Sequence, residues 1–249
     1  MKELTQADLE AIKANVWWHR IPVGLVEGKI FYTPGEVMHG PDGSDYATKR
    51  FGLPPDLTGK TVLDIGAWDG YFSFEAEKRS ADVVVAADIA MTPPNKERLE
   101  QGNWGMNRGF RRAHQILGSK VRFIESSIFN IDVAVRQAAI NTAGDLTEKE
   151  YPASYDVTLC YGVLYHLTEP FLALQKLAAV TKGIALVETA ICKGNAVSME
   201  LRPGFDNDTT NWWYPTIPCL REMLIRAGFS RTELVYNLDD VRATVAAYK

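Results

Sequence analysis

Four residues stand in an order that can hold a nucleoside: Asp64, Gly66, Gly70 and Asp88. The first three fall in Val62-Leu-Asp-Ile-Gly-Ala-Trp-Asp-Gly-Tyr71, and Asp88 closes the apolar run that starts at Val83. Glycine at 66 and 70 lets the backbone turn tightly and approach a ligand with no side chain in the way. Asp88 follows Gly70 by 18 residues, and an acid ending the second strand of such a unit accepts hydrogen bonds from ribose hydroxyls. Asp64 lies inside the first strand, where an acid is expensive to bury unless a ligand ammonium or backbone amides satisfy it. The dinucleotide pattern G-x-G-x-x-G is missing, because Trp68 stands where its second glycine belongs. A pyrophosphate cradle, and with it a nicotinamide dehydrogenase, is disfavoured.

A second group of candidates could move protons. His166 ends Leu159-Cys-Tyr-Gly-Val-Leu-Tyr-His166 after a fourth strand. It titrates near neutrality and is the leading general base; the alternative is a histidine that caps the next helix or bonds a backbone carbonyl. Glu188, at the end of a fifth strand, is a candidate to bind an acceptor hydroxyl or amine, or else a satisfied structural acid. His19 and His39 read as surface histidines, with reach into the pocket as the alternative. Trp212-Trp213-Tyr214, inside 204–214, reads as packing over the sheet end or as a lid that stacks on a planar acceptor. Trp17 and Trp18 read as packing anchors, and Arg108–Arg112 (RGFRR) as a solvated helix face. Histidines, cysteines and carboxylates show no C-x-x-C or H-E-x-x-H spacing, so no metal is expected.

The elements that must position these residues alternate. Thr61–Ile65, Val83–Ala87, Val121–Ile124, Tyr155–Cys160, Ile184–Thr189, Thr232–Tyr236 and Ala243–Tyr248 read as strands. Leu4–Trp17, Tyr71–Lys78, Asn95–Leu117, Pro170–Val180 and Pro218–Ala227 read as helices, while Pro22–Gly52 reads as irregular. Strands alternating with helices predict an α/β fold, a doubly wound, mostly parallel sheet of seven strands covered on both faces. Residues 1–55 form an N-terminal helical and irregular cap, and 56–249 one further structural unit. With 249 residues, 46% hydrophobic and 23% charged, the chain is long enough to bury a full core, which excludes disorder. A formal net charge of −4 disfavours a polyanionic partner. The charged amphipathic opening and three scattered cysteines (Cys160, Cys192, Cys219) point to a cytoplasmic protein with reduced thiols, with no membrane association.

VLDIGAWDGYFSFEAE…VVVAADI resembles motifs I and II of the class I S-adenosylmethionine-dependent methyltransferases, a Rossmann-like family. GVLYH, the helix after it and WHRIPVG…TPG narrow the resemblance to the branch that includes the tRNA wobble-uridine (mo5U34/cmo5U34) methyltransferases. The resemblance implies that Gly66, Ala67, Trp68 and Gly70 face the methionine part of the cofactor and that Asp88 takes the ribose diol. It places the adenine against Ser127 and Ile128, and a cofactor contact and the pocket mouth at Tyr161 and the residues after it. Some enzymes of that branch use carboxy-S-adenosyl-L-methionine, and Lys29, Tyr165 and Arg242 match positions that grip its carboxylate. The reading that follows is methyl transfer from S-adenosyl-L-methionine to an oxygen or nitrogen of a small or medium-sized acceptor, with Tyr165, His166 and Glu188 as catalytic candidates. A tRNA wobble-uridine (carboxy)methyltransferase and a non-catalytic cofactor-binding subunit are the alternatives.

Overall fold

The computed structural model describes residues 1–35, 46–89, 107–142, 151–204 and 208–249. The chain opens with helix α1 (Gln6–Lys13), started by a capping box in which Thr5 and Asp8 satisfy each other's amides. Helix formation stops at Lys13, short of the expected Trp17. Trp17 is buried with its indole N–H on the Ile12 carbonyl, while the Trp18 ring is half exposed, so only the first packs as an anchor.

The expectation of an irregular stretch over 22–52 is corrected by the structure. Strands β1 (Pro22–Val26) and β2 (Lys29–Tyr32) form a hairpin, and α2 (Tyr46–Phe51) follows. The hairpin turn is Glu27-Gly28, both with positive φ (51° and 75°). That is the two-residue geometry matched to strand twist, normally signalled by Asn-Gly or Asp-Gly. Glutamate at the first position hid it.

The main sheet holds β3 (Thr61–Ile65), β4 (Val83–Asp88), β5 (Arg122–Glu125), β6 (Tyr155–Tyr161), β7 (Thr181–Ala190), β10 (Arg231–Leu238) and β11 (Arg242–Tyr248). Their spatial order is β10-β11-β7-β6-β3-β4-β5, with β11 the one strand that runs antiparallel to its neighbours. Helices cover both faces, namely α3 (Tyr71–Lys78), α4 (Arg108–Leu117), α5 (Ile131–Thr142), α6 (Pro170–Val180) and α7 (Ile217–Arg226). The expected helix over Asn95–Leu117 is seen as α4; its residues 95–106 lie outside the described residues. Helix α5 had not been anticipated.

Successive residues of a strand point to opposite faces, and the core sorts accordingly. Val62 and Ala86 join Phe72, Phe110 and Trp17 on one face; Leu63 and Val85 join Leu174 and Leu224 on the other. Strands buried on both sides are mostly apolar rather than alternating, which is why β4 reads as an apolar run and β3 as one broken only by Asp64. A small ribbon, β8 (Met199–Leu201) with β9 (Trp213–Pro215), absorbs part of the tryptophan cluster. Among the described residues no helix is long and apolar enough to cross a membrane, and the three cysteines are buried and free.

Two hydrogen bonds fasten α2 to the sheet. The Tyr161 hydroxyl donates to the Phe51 carbonyl at 2.9 Å, and the Thr244 hydroxyl to the Arg50 carbonyl at 2.8 Å. Removing the Tyr161 hydroxyl leaves a buried carbonyl unpaired, which costs about 1–3 kcal/mol. Tyr161→Phe is therefore expected to lower the unfolding free energy by that amount and shift the urea midpoint down; an unchanged midpoint contradicts the anchoring role.

Candidate cofactor and acceptor site

The turn after β3 is built by backbone geometry. Gly66 (φ 77°) and Gly70 (φ 88°) sit in the left-handed region, and so does Trp68 (φ 51°), where a non-glycine residue is strained. A Cβ on Gly66 would stand 2.3 Å from Val163 Cγ2. Glycine thus lets the turn after β3 lie directly against the turn after β6. The Gly66 amide donates to the Ala87 carbonyl at 2.8 Å, which ties the turn to the end of β4.

Asp88 completes that tie. Its Oδ2 accepts the Trp68 amide and its Oδ1 the Ile89 amide, each at 2.7 Å. Burial pushes its carboxyl up to about 6, against the opposing pull of these two amides. A carboxylate has about four acceptor positions, so one on each oxygen is left over after the two amides are counted. Asp64 is 2% exposed and accepts the Ser73 hydroxyl at 2.6 Å. Burial pushes it up to about 7; the Ser73 bond opposes the rise and the nearby Asp88 adds to it. Asp64 thus supports the turn from beneath through α3.

The residue that sequence reasoning passed over is Asp69. Its buried carboxylate accepts the Trp18 and His19 amides on Oδ2, at 2.9 and 2.7 Å, and pairs through Oδ1 with His19 Nδ1 at 2.7 Å. The His19 ring stacks on Tyr71 with 5.0 Å between centroids. His19, expected at the surface, is therefore an inner clasp between the N-terminal segment and the Gly66–Gly70 turn. Its partner lies 50 residues away, and no local pattern announces it. His39 lies outside the described residues.

Beyond β4, the sheet end opens into a cavity of about 530 Å³ lined by Ile89, Glu125, Ser126, Ser127, Asn130 and Val133. The Ser127 hydroxyl accepts the Phe129 amide at the start of a 3₁₀ turn, and Ile128 is buried beneath it. On the other side, the turn Leu164–His166 carries Tyr165 and His166. His166 Nδ1 lies 2.9 Å from the Thr210 hydroxyl and 3.4 Å from the Thr210 carbonyl. The Thr210 hydroxyl donates to Asp208 at 2.6 Å. The Thr210 hydroxyl and carbonyl thus both lie against Nδ1. The tryptophan cluster is strapped to this turn, since the Trp212 amide donates to the Tyr165 carbonyl and Tyr214 is buried.

Glu188 is 3% exposed and holds Arg242 by two bonds, from Nε at 2.5 Å and Nη2 at 2.9 Å, with the Gly162 amide as a third donor at 3.1 Å. The Arg242 guanidinium lies over the Tyr165 ring, 4.9 Å from its centroid. The structure thus brings Tyr165, Glu188 and Arg242 together. Lys29, by contrast, is exposed on the hairpin. Among the described residues no group of three or more histidine, cysteine or acidic side chains could hold a metal ion.

The arrangement has counterparts among known proteins. No family model matches the chain. It is 27% identical over 208 residues to a tRNA U34 carboxymethyltransferase of Ectopseudomonas mendocina (strain ymp), covering 81% of this chain and 56% of that protein. A protein of the same name from Pseudomonas putida (strain W619) is 26% identical over 195 residues, 77% of this chain and 52% of its own. The chain spans about half the length of these curated relatives. Among solved structures, the N-terminal domain of EvdMO1, crystallised in the presence of SAH and D-fucose, superposes with a TM-score of 0.61 at 16% identity, covering 98% of this chain and 95% of that one. Magnesium protoporphyrin IX methyltransferase from Synechocystis PCC 6803 with bound SAH gives 0.50 at 16% identity, covering 78% and 75%. The chain has the Rossmann-like fold of class I S-adenosylmethionine-dependent methyltransferases. Within that class it resembles the branch that includes the tRNA wobble-uridine enzymes.

The Asp64 carboxyl has a measurable signature. Between about pH 4 and 7 the folded chain keeps a proton there that the unfolded chain, near 3.8, has released. The folded state then binds more protons, so stability falls as pH rises through this window. Asp64→Asn is expected to lose this slope, so the urea midpoint of the wild type drops relative to the variant between pH 4.5 and 7.5. Parallel pH profiles contradict a buried neutral acid.

Proposed function

We propose that the protein is a methyltransferase that uses S-adenosyl-L-methionine and acts on an oxygen or nitrogen of a small or medium-sized acceptor. The observation that carries the reading is the Asp88 carboxylate, already holding the Trp68 amide of a turn flanked by two glycines and keeping acceptor capacity for a pair of hydroxyls. Asp88 takes the ribose diol, the Gly66–Gly70 backbone the methionine part, and Ser127 and Ile128 border the adenine. Bound S-adenosyl-L-methionine supplies an electrophilic methyl group on a sulfonium. The chain's own work is then alignment and exclusion of water, which lower the barrier of an in-line displacement.

A proton must leave if the acceptor is a hydroxyl or amine. His166, whose Nδ1 lies against Thr210, is the candidate to receive it. Glu188, by contrast, is committed to Arg242 and the Gly162 amide, which favours the structural reading of that acid. Residues 1–55 serve as the cap over the domain 56–249, joined to the turn through His19 and Asp69. The free buried cysteines suit a cytoplasmic setting.

The names of the curated relatives support a second reading, transfer of a carboxymethyl group to a tRNA wobble uridine. The charges favour the first. Of the three positions matched to a grip on the donor carboxylate, Arg242 is already neutralised by Glu188 and Lys29 is exposed on the hairpin, which leaves Tyr165. The formal net charge of −4 also disfavours tRNA.

Asp88→Ala removes charge-assisted hydrogen bonds worth about 1.5–3 kcal/mol and should weaken S-adenosylhomocysteine about tenfold or more by calorimetry. In the wild type, affinity should rise with pH through about 6 as Asp88 ionises; unchanged binding in Asp88→Ala contradicts the assignment. His166→Ala should slow S-adenosylhomocysteine formation, with a metabolite extract as acceptor source, by roughly 100-fold at neutral pH. A wild-type rate from pH 6 to 9 removes the base and leaves the donor site intact.

A further inference from the structure

Arg50 is a half-buried cation with no anionic partner among the described residues. Its guanidinium lies over the Tyr46 and Phe51 rings, 5.5 and 5.4 Å from their centroids, and its Nε is buried with no hydrogen-bond partner. Two other interior arginines, Arg79 and Arg242, are satisfied. Arg79 donates to Thr48 and to the carbonyls of Leu53 and Pro54, and Arg242 is held by Glu188. Arg122 also has an unpaired nitrogen, but it starts β5, at the end of the sheet opposite the site. A desolvated guanidinium with an unused donor is costly unless a partner arrives.

The position of Arg50 says which partner. Its carbonyl is held by Thr244, which faces Glu188 in the β11–β7 register, so Arg50 lies at the level of the candidate site. The Tyr46 hydroxyl, raised by burial, stands in the field of Arg50, Glu188, Arg242 and Tyr236. This is the β7–β11 side of the sheet, whereas the donor occupies the ends of β3, β4 and β5. The charge of Glu188 is already balanced by Arg242, which both its oxygens hold, so it is not a counter-ion for Arg50.

We propose that Arg50 anchors an oxyanion on the methyl acceptor, a carboxylate or a phosphate, beside the Tyr46 ring. A planar guanidinium fork matches either group by paired hydrogen bonds. The inference deepens the methyl-transfer reading and rests on it.

The test uses the full chain loaded with S-adenosylhomocysteine, whose own affinity is measured first; failure at that step sinks the donor assignment rather than Arg50. Sodium benzoate and inorganic phosphate are then titrated separately by calorimetry. One of them should bind the wild type, and Arg50→Gln should weaken it by about tenfold or more, with S-adenosylhomocysteine affinity within about twofold. Arg50→Lys should recover part of the loss. Tighter benzoate assigns an acceptor carboxylate, and tighter phosphate a phosphate ester. Absence of binding by both anions, or equal binding by Arg50→Gln, overturns the proposal. If Arg50→Gln does not fold, Arg50→Met, which keeps the apolar stem over Tyr46 and Phe51, replaces it under the same criteria.

Discussion

The carboxylate of Asp88 joins parts of the chain that have no other reason to meet. It draws the Trp68 amide down onto the end of β4 and holds that residue in a left-handed conformation that its side chain disfavours. With Trp68 fixed, Gly66 comes within contact of Val163, so the turns after β3 and β6 share one floor. The arrangement puts a carboxyl group where burial raises it to about 6. Neutralising that acid would relieve the desolvation and release the turn, so the same group both organises the pocket and limits its stability.

The sheet divides its labour at this floor. The strands β3, β4 and β5 end in backbone groups and two carboxylates, Asp88 and Glu125, suited to a ligand held by shape and hydrogen bonds. The strands β6, β7 and β11 end in a dense set of charges and rings, with Arg242 between Glu188 and Tyr165. The buried Glu188–Arg242 pair is compensated within itself, so it contributes rigidity more than net charge. Polarity toward a ligand on that side comes from the groups that stay uncommitted.

Much of the first half of this pattern is legible in the sequence. A doubly covered parallel strand is mostly apolar rather than alternating, so β3, β4 and β6 announce themselves, and the glycine turn after β3 marks its end. Helix α6 is equally plain, because Pro170 opens it. Elements defined by tertiary partners are less visible. The β1–β2 hairpin turns on Glu27, the three-residue strands β8 and β9 are too short to show alternation, and α5 lacks a strong capping signal. Two side-chain roles were misread for the same reason. Trp18 contributes its amide rather than its ring, and His19 is buried by a partner distant in sequence.

The clasp made by Asp69 has a consequence for motion. The amides of Trp18 and His19 cannot exchange with solvent while a carboxylate of the cofactor turn accepts them. The N-terminal segment therefore draws part of its protection from the turn. A ligand that tightens Gly66–Gly70 slows exchange at Trp18 and His19 to the extent that their opening passes through the turn. Two backbone protons outside the pocket thus report, without contact, on what the pocket holds.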